Sequence, residues 1–286
     1  SKPYLNHMAE KNKEARSTVY SSYGTVATSQ PLASSAGLHI LQQGGNAIDA
    51  AIAAAAMLNV VEPHMTGLGG DAFALLWSAE ENKLIGLDAS GKSGSLLNAE
   101  QIIGQGENAL PRTGAKSVTV PGALSGWCAL LDRYGTMTLP QVLNPAIRIA
   151  ERGFPVTPII ASQWCTKSEF LSKDLGAKNT FLYKGRRGPR VGEWFQNPDL
   201  ADSLTNIANL GSETLYGGSM GETIVNSLSE QGGYLTLQDL KDHRVEWVDP
   251  ISVNFKGYDV WELPPAGQGV AALQMLQLLE PVNLKG

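Results

Sequence analysis

Apolar positions recur along the chain in two rhythms, which together lay out an alternation of helices and strands. Over residues 31–43 (PLASSAGLHILQQ) they fall at helical spacing, and Gly44 and Gly45 stop the helix. Residues 47–61 (AIDAAIAAAAMLNVV) are apolar on nearly every side. That predicts a buried helix, with Asn46 as its N-cap and alanines that let neighbours approach closely. After a glycine turn, TGLGGDAF, residues 73–77 and 83–87 read as strands joined by the polar turn AEEN. Val118, Thr119 and Val120 form a short β-branched run. Pro121 and Gly122 then open a helix over 123–134, and a further helix is expected at about 140–151. Residues 157–197 carry neither rhythm and are expected to be irregular and to wrap the surface. Helices around 199–209 and 222–231 follow, then a strand at about 258–263, the turn PPAGQG and a helix over 270–279. That last helix carries Val270, Leu273, Met275, Leu276, Leu278 and Leu279, so it is apolar around much of its circumference. A helix of this kind needs cover on several sides. With only EPVNLKG after it, the chain is expected to belong to a larger folding unit.

Composition narrows the classes. Of 286 residues, 43% are hydrophobic and 17% charged, which suits a globular domain with a sizeable core. A net charge of −5 gives no footprint for nucleic acid. The one basic cluster, Lys184, Arg186, Arg187 and Arg190, is broken by Gly and Pro and reads as a solvated loop. Two cysteines, Cys128 and Cys165, do not make a disulfide scaffold. The four histidines are far apart and lack metal-ligand spacing, so neither a metal site nor a cofactor is expected. The polar opening SKPYLNHMAEKNKEARS has no apolar core, so it is not expected to be a signal peptide. The longest apolar run contains Asp49 and Asn59 and is too short to span a bilayer. No membrane association is expected. A cytoplasmic location is preferred, with the periplasm or the exterior open if a leader has been removed.

Three motifs bear on chemistry. GLDASGKS, residues 86–93, fits the phosphate-binding pattern G-x-x-x-x-G-K-[ST]. Such a loop works only if a helix starts at once on the Lys, with its amides aimed at phosphate. Here Lys92 and Ser93 are followed by Gly94 and Ser95, and the next helix pattern, NAEQII, starts only at Asn98. TGLGGDAF runs helix, glycine turn, strand, the reverse of a dinucleotide fingerprint. Its glycines are better suited to close backbone or ligand approach. No G-x-S-x-G elbow occurs. Ser125 in PGALSGW lies one residue out of that pattern, and no Ser/His/Asp set emerges from the sequence.

Several segments together resemble the γ-glutamyltransferase family of N-terminal-nucleophile hydrolases. They are residues 24–73, LDASGKS, SVTVPGALSGW, YGTMTLPQVLNPAIRIAERGFPV, GGYLTLQDLKDH and GYDVWELPPAGQG, in order over nearly the whole chain. GGNAIDAA and GGYLTLQDL are the specific ones. The resemblance implies an α+β fold, a four-layer αββα sandwich. It also implies a precursor that cuts itself before a Thr, which then attacks a γ-glutamyl amide with its own α-amino group as base. Residues 1–286 would be a single domain, most of the large subunit. The small subunit from the same precursor would carry the nucleophile, so no catalytic residue is expected here and activity would require the partner. In typical members an Arg in the loop after the strand ending at Leu87 holds the substrate carboxylate, a task suited to a guanidinium. Aligned without a gap, that position holds Ser90, and the nearby cation is Lys92. Lys92 and Ser90 are therefore candidate substrate contacts, with a solvent-facing lysine and a simple turn serine as the plain alternatives. Gly69, Gly70 and Asp71 are expected to border the cleft, although Asp71 could instead cap its own turn. PPAGQG looks like the acylase-like branch, whose members act on glutaryl or cephalosporin-type substrates. The small-molecule substrate is thus expected to be γ-glutamyl or, alternatively, glutaryl.

Overall fold

The computed structural model of the chain describes residues 17–104 and 109–283. Nearly all of the polar N-terminal stretch, and the final Leu-Lys-Gly, lie outside these residues. Helix α1 (Pro31–Gln42) begins where Gln30 Oε1 accepts from the Leu32 and Ala33 amides, and ends before Gly44 turns the chain at φ 91°. Helix α2 (Ala47–Val61) starts in a capping box. Asn46 Oδ1 accepts from the Ile48 and Asp49 amides while the Asp49 carboxylate accepts from Asn46 N–H at 2.8 Å. The same buried carboxylate accepts from Thr136 N–H at 3.0 Å, Thr136 Oγ1 at 2.6 Å and Met137 N–H at 3.1 Å. Burial by itself would raise the Asp49 pKa, but these hydrogen bonds outweigh it and hold the carboxyl below its ordinary value. One side chain thus caps α2 and fixes the turn that precedes residue 139.

Strands β1 (Ala72–Ser78) and β2 (Lys83–Ala89) form the expected hairpin, with Ala72 opposite Ala89 and Ser78 opposite Lys83. Its turn is closed by Asn82 at φ 49°. Helix α3 (Ala99–Gly104) leads to helix α4 (Ala123–Tyr134) and helix α5 (Leu139–Arg152), the latter opened by a Thr138–Gln141 capping box. Helices α4 and α5 bury Leu124, Trp127, Leu143 and Ala146 against the alanine faces of α1 and α2.

Residues 157–197 do not conform to the expectation of an irregular wrap. They hold helices α6 (Pro158–Thr166), α7 (Ser168–Leu171) and α8 (Leu175–Phe181), clasped by the two-stranded pair β3 (Phe154–Pro155) and β4 (Trp194–Phe195). The organising residue is Trp164, 1% exposed. Its ring meets Phe195 edge-on at 4.7 Å, and its indole N–H donates to the Phe181 carbonyl at 2.9 Å. An aromatic knot of this kind draws its partners from separated positions, so it leaves no periodic trace in the sequence. In the basic cluster, Arg187 is not simply solvated. It makes a two-pronged pair with Glu193 at 2.7 and 2.9 Å and lies over the Tyr183 ring.

Helices α9 (Pro198–Leu210), α10 (Ser219–Glu230) and α11 (Leu237–Asp242) precede strand β5 (Glu246–Val248), which pairs with the other edge of β2. The sheet order is β1-β2-β5. Strands β6 (Ile251–Phe255) and β7 (Tyr258–Glu262) form a second hairpin, followed by helix α12 (Gly269–Leu279). Neither β5 nor β6 was expected from the sequence. The result is an α+β arrangement of helices and antiparallel sheets. Among the described residues two apolar surfaces stay uncovered. Phe73, Leu75 and Trp77 alternate along one face of β1 and are 51%, 41% and 60% exposed. On α12 only Leu273 is buried, while Met275 and Leu278 are exposed.

Candidate active-site cavity

The loop that leaves β2 and the segments beside it are held by hydrogen bonds of backbone groups to one another and to two aspartates. Asp88 Oδ1 accepts from Ser90 N–H at 2.8 Å, an Asx-turn that bends the chain out of the strand. Gly91 N–H donates to Asp71 Oδ1 at 2.9 Å, and Val120 N–H donates to the Lys92 carbonyl at 2.9 Å. Ser93 bridges to Thr119. Gly122 N–H and Ala123 N–H both donate to the Gly70 carbonyl at 2.9 Å. Glycine is required at two of these crossings. A Cβ on Gly91 would lie 1.6 Å from the Val120 carbonyl oxygen, and one on Gly122 would lie 1.8 Å from that of Ala89. Asp71 therefore serves the loop rather than its own turn. Lys92 leads into a bridge, not a helix, so the phosphate-loop pattern has no helix N-terminus behind it.

The loop forms one wall of a cavity of about 700 Å³. Ser90, Gly91 and Lys92 face it from this side, Pro265 and Ala266 from the turn before α12. The third wall comes from α11 and the segment leading into β5, through Asp239, Asp242, His243, Arg244 and Glu246. Asp239 joins the two walls. It caps α11 with Thr236 and accepts from Ser95 N–H and Oγ–H, both at 3.1 Å. Partial burial would raise its pKa, but these donors hold it below the usual carboxylate value. Arg244 is anchored through Nη1 to the Lys241 and His243 carbonyls at 2.7 and 2.6 Å, leaving Nη2 and Nε unengaged among the described residues. The Lys92 ammonium forms neither a hydrogen bond nor an ion pair among them. The wall thus sets a free ammonium and a guanidinium among several carboxylates.

Behind the cavity wall lies a polar knot. Tyr216 Oη donates to the Pro121 carbonyl at 2.7 Å and accepts from Ser125 N–H at 3.0 Å. Ser125 Oγ sits 2.7 Å from the Gly122 carbonyl and 2.8 Å from His243 Nε2, a residue 118 positions away. The Tyr216 ring stacks on the imidazole at 5.6 Å and 20°. Burial lowers the His243 pKa; Asp71 pulls it up, while Arg244 and Lys92 push it down. The fold thus gathers a serine, a histidine and an aspartate that the sequence did not connect. They do not form a hydrolytic triad. The Ser125 hydroxyl faces a carbonyl, and the nearby amides of Gly91, Gly122 and Ser125 are all engaged, so these amides offer it no oxyanion hole.

Of the residues singled out from sequence, Ser90 and Lys92 line the cavity, and Asp71 braces its loop. Gly70 acts through its carbonyl. Gly69 faces a different hollow of about 430 Å³, beside Leu68, Thr214 and Met220. Sequence reasoning passed over His243 and Arg244. The available sign was the T-x-x-D cap of Thr236 and Asp239, which places both just past a helix end.

A family model described as gamma-glutamyltranspeptidase matches residues 33–286. The chain belongs to the gamma-glutamyltranspeptidase family. It is 41% identical over 250 residues to the glutathione hydrolase-like YwrD proenzyme of Bacillus subtilis, covering 87% of this chain and 47% of that protein. It is 38% identical over 273 residues to the acylase ACY 1 proenzyme of a Pseudomonas species, covering 92% of this chain and 49% of the other. The structure superimposes on the cephalosporin acylase of Bacillus halodurans with a TM-score of 0.90 at 44% identity, over 96% of this chain and 52% of that one. These likenesses place this gamma-glutamyltranspeptidase-family chain in the α+β sandwich fold. The chain spans about half the length of the curated relatives it matches. Among the described residues no helix is long and apolar enough to cross a membrane. Nor do they include a group of three or more His, Cys, Asp or Glu placed to hold a metal ion.

Proposed function

We propose that this chain is the large-subunit part, one domain, of a self-processing γ-glutamyl amide hydrolase or transferase. A small subunit from the same precursor supplies an N-terminal Thr. Its hydroxyl adds to the γ-carbonyl, its proton passes through the α-amino group to the leaving amine, and the C–N bond breaks. Water or an acceptor amine then takes the acyl group. The observation that carries this reading is the mixed charge of the cavity. Lys92 and Arg244 suit a carboxylate, and Asp242 and Glu246 suit an ammonium, within one space of about 700 Å³. That combination fits the α-amino acid end of a γ-glutamyl group. The uncovered apolar face of β1 supports a partner that packs on the sheet.

A second reading, a glutaryl or cephalosporin-type acylase, is favoured by Ser90 at the expected Arg position and by the likeness to two acylases. Turnover of γ-glutamyl and glutaryl anilides by the matured full-length protein separates them. A γ-glutamyl preference supports the first, a glutaryl preference the second, and turnover of neither overturns both. Lys92→Ala is expected to raise KM for the preferred anilide about tenfold or more, the worth of a charged hydrogen bond. Unchanged KM would remove Lys92 from the site.

A further inference from the structure

The knot behind the cavity assigns a proton. The Ser125 hydroxyl has one hydrogen, and the Gly122 carbonyl, 2.7 Å away, can only accept. Ser125 therefore donates there, and its oxygen accepts from His243 Nε2 at 2.8 Å. The neutral imidazole is the Nε2–H tautomer, with Nδ1 left for a second proton. Protonation at Nδ1 leaves the contact to Ser125 intact, so the ring can become charged without moving. Tyr216 holds it in place from one face, and is itself fixed between Pro121 and Ser125.

We propose that His243 is a proton-responsive positioning residue of the cavity, which in its charged form joins Lys92 and Arg244 as a third cation and tightens the hold on a substrate carboxylate. This rests on the reading of the loop as the carboxylate site. The charges facing the ring come from three places. Asp71, on the glycine turn, favours the imidazolium, while Lys92 on the loop and Arg244 beside it oppose it. Asp88, Asp239, Asp242 and Glu246 share the cavity wall. Burial and the two cations outweigh Asp71 and keep the ring neutral in the empty site at neutral pH. A bound carboxylate neutralises the opposing cations, so ligand and proton bind cooperatively.

The test uses L-glutamate, whose own charges are constant between about pH 5.5 and pH 8, and measures its inhibition constant on the matured full-length protein. In the wild type the constant is expected to fall five- to tenfold or so as the pH drops through that range, a coupling of about one pKa unit or somewhat less. His243→Gln keeps an amide N–H for Ser125 but cannot titrate, and is expected to lose the slope. NMR titration of His243 in the wild type needs no variant, and bound glutamate is expected to raise its pKa. A flat wild-type profile, a slope that persists in His243→Gln, or an imidazole pKa indifferent to glutamate overturns the proposal. Lys92→Ala separates this from failure of the underlying reading. If it leaves the constant unchanged at every pH, the loop is not the carboxylate site. If it weakens binding while the slope survives His243→Gln, only the role of His243 falls.

Discussion

Gly91→Ala is the sharpest test of how the loop is built. A Cβ at Gly91 would stand 1.6 Å from the Val120 oxygen, whereas such contacts are essentially never under 3.0 Å. The loop must therefore move by about 1.4 Å, taking Lys92 with it. That motion stretches the 2.9 Å bonds from Val120 N–H to Lys92 and from Gly91 N–H to Asp71 beyond hydrogen-bonding range. Two lost hydrogen bonds at about 1 kcal/mol each, with about 1–2 kcal/mol of overpacking, give a destabilisation of about 3–4 kcal/mol. If Lys92 contacts substrate, a displacement of this size is expected to lower kcat/KM by about 10²-fold, mostly through KM. Urea unfolding and steady-state kinetics on the full-length protein measure the two effects. Gly69→Ala is the control, because a Cβ there meets nothing within 4 Å. It is expected to change stability by less than about 0.5 kcal/mol. If Gly91→Ala unfolds like the wild type, the close crossing of loop and Val120 is refuted. If it is destabilised but keeps its KM, the loop is structural and not part of the substrate site.

Other outcomes rest on the same geometry. Asp49→Asn cannot keep all of the donors now held by the carboxylate and is expected to cost about 2–4 kcal/mol in urea unfolding. Because the folded-state pKa of Asp49 is depressed, its contribution is present above about pH 3.8 and is lost as the pH falls through the folded value. The wild type should therefore lose more stability than Asp49→Asn over that acid range. Trp164→Ala empties the centre of the aromatic knot and should cost about 3–5 kcal/mol, with the indole's near-ultraviolet dichroism lost as well.

Local physics made much of the fold legible in the sequence. The span of α2 and its Asn46 cap could be read because capping and burial act within one turn of helix. The β1–β2 hairpin could be read because its turn and alternation are contiguous, and the apolar circumference of α12 could be read from the positions of its Val, Leu and Met residues. The position of Ser90 and Lys92 on the loop after β2 could be read because that loop directly follows a strand end. What the sequence could not show depends on partners far apart along the chain. Strand β5 has three residues, too few for a period, and exists because β2 offers it an edge. The ordered region around Trp164 depends on aromatic rings contributed by Phe154, Phe181 and Phe195. His243 carries no signal as a letter. Only the fold lays it on Ser125, under Tyr216 and beside the Lys92 loop, because hydrogen bonds and charges act through space over a few ångströms, whatever the distance along the chain.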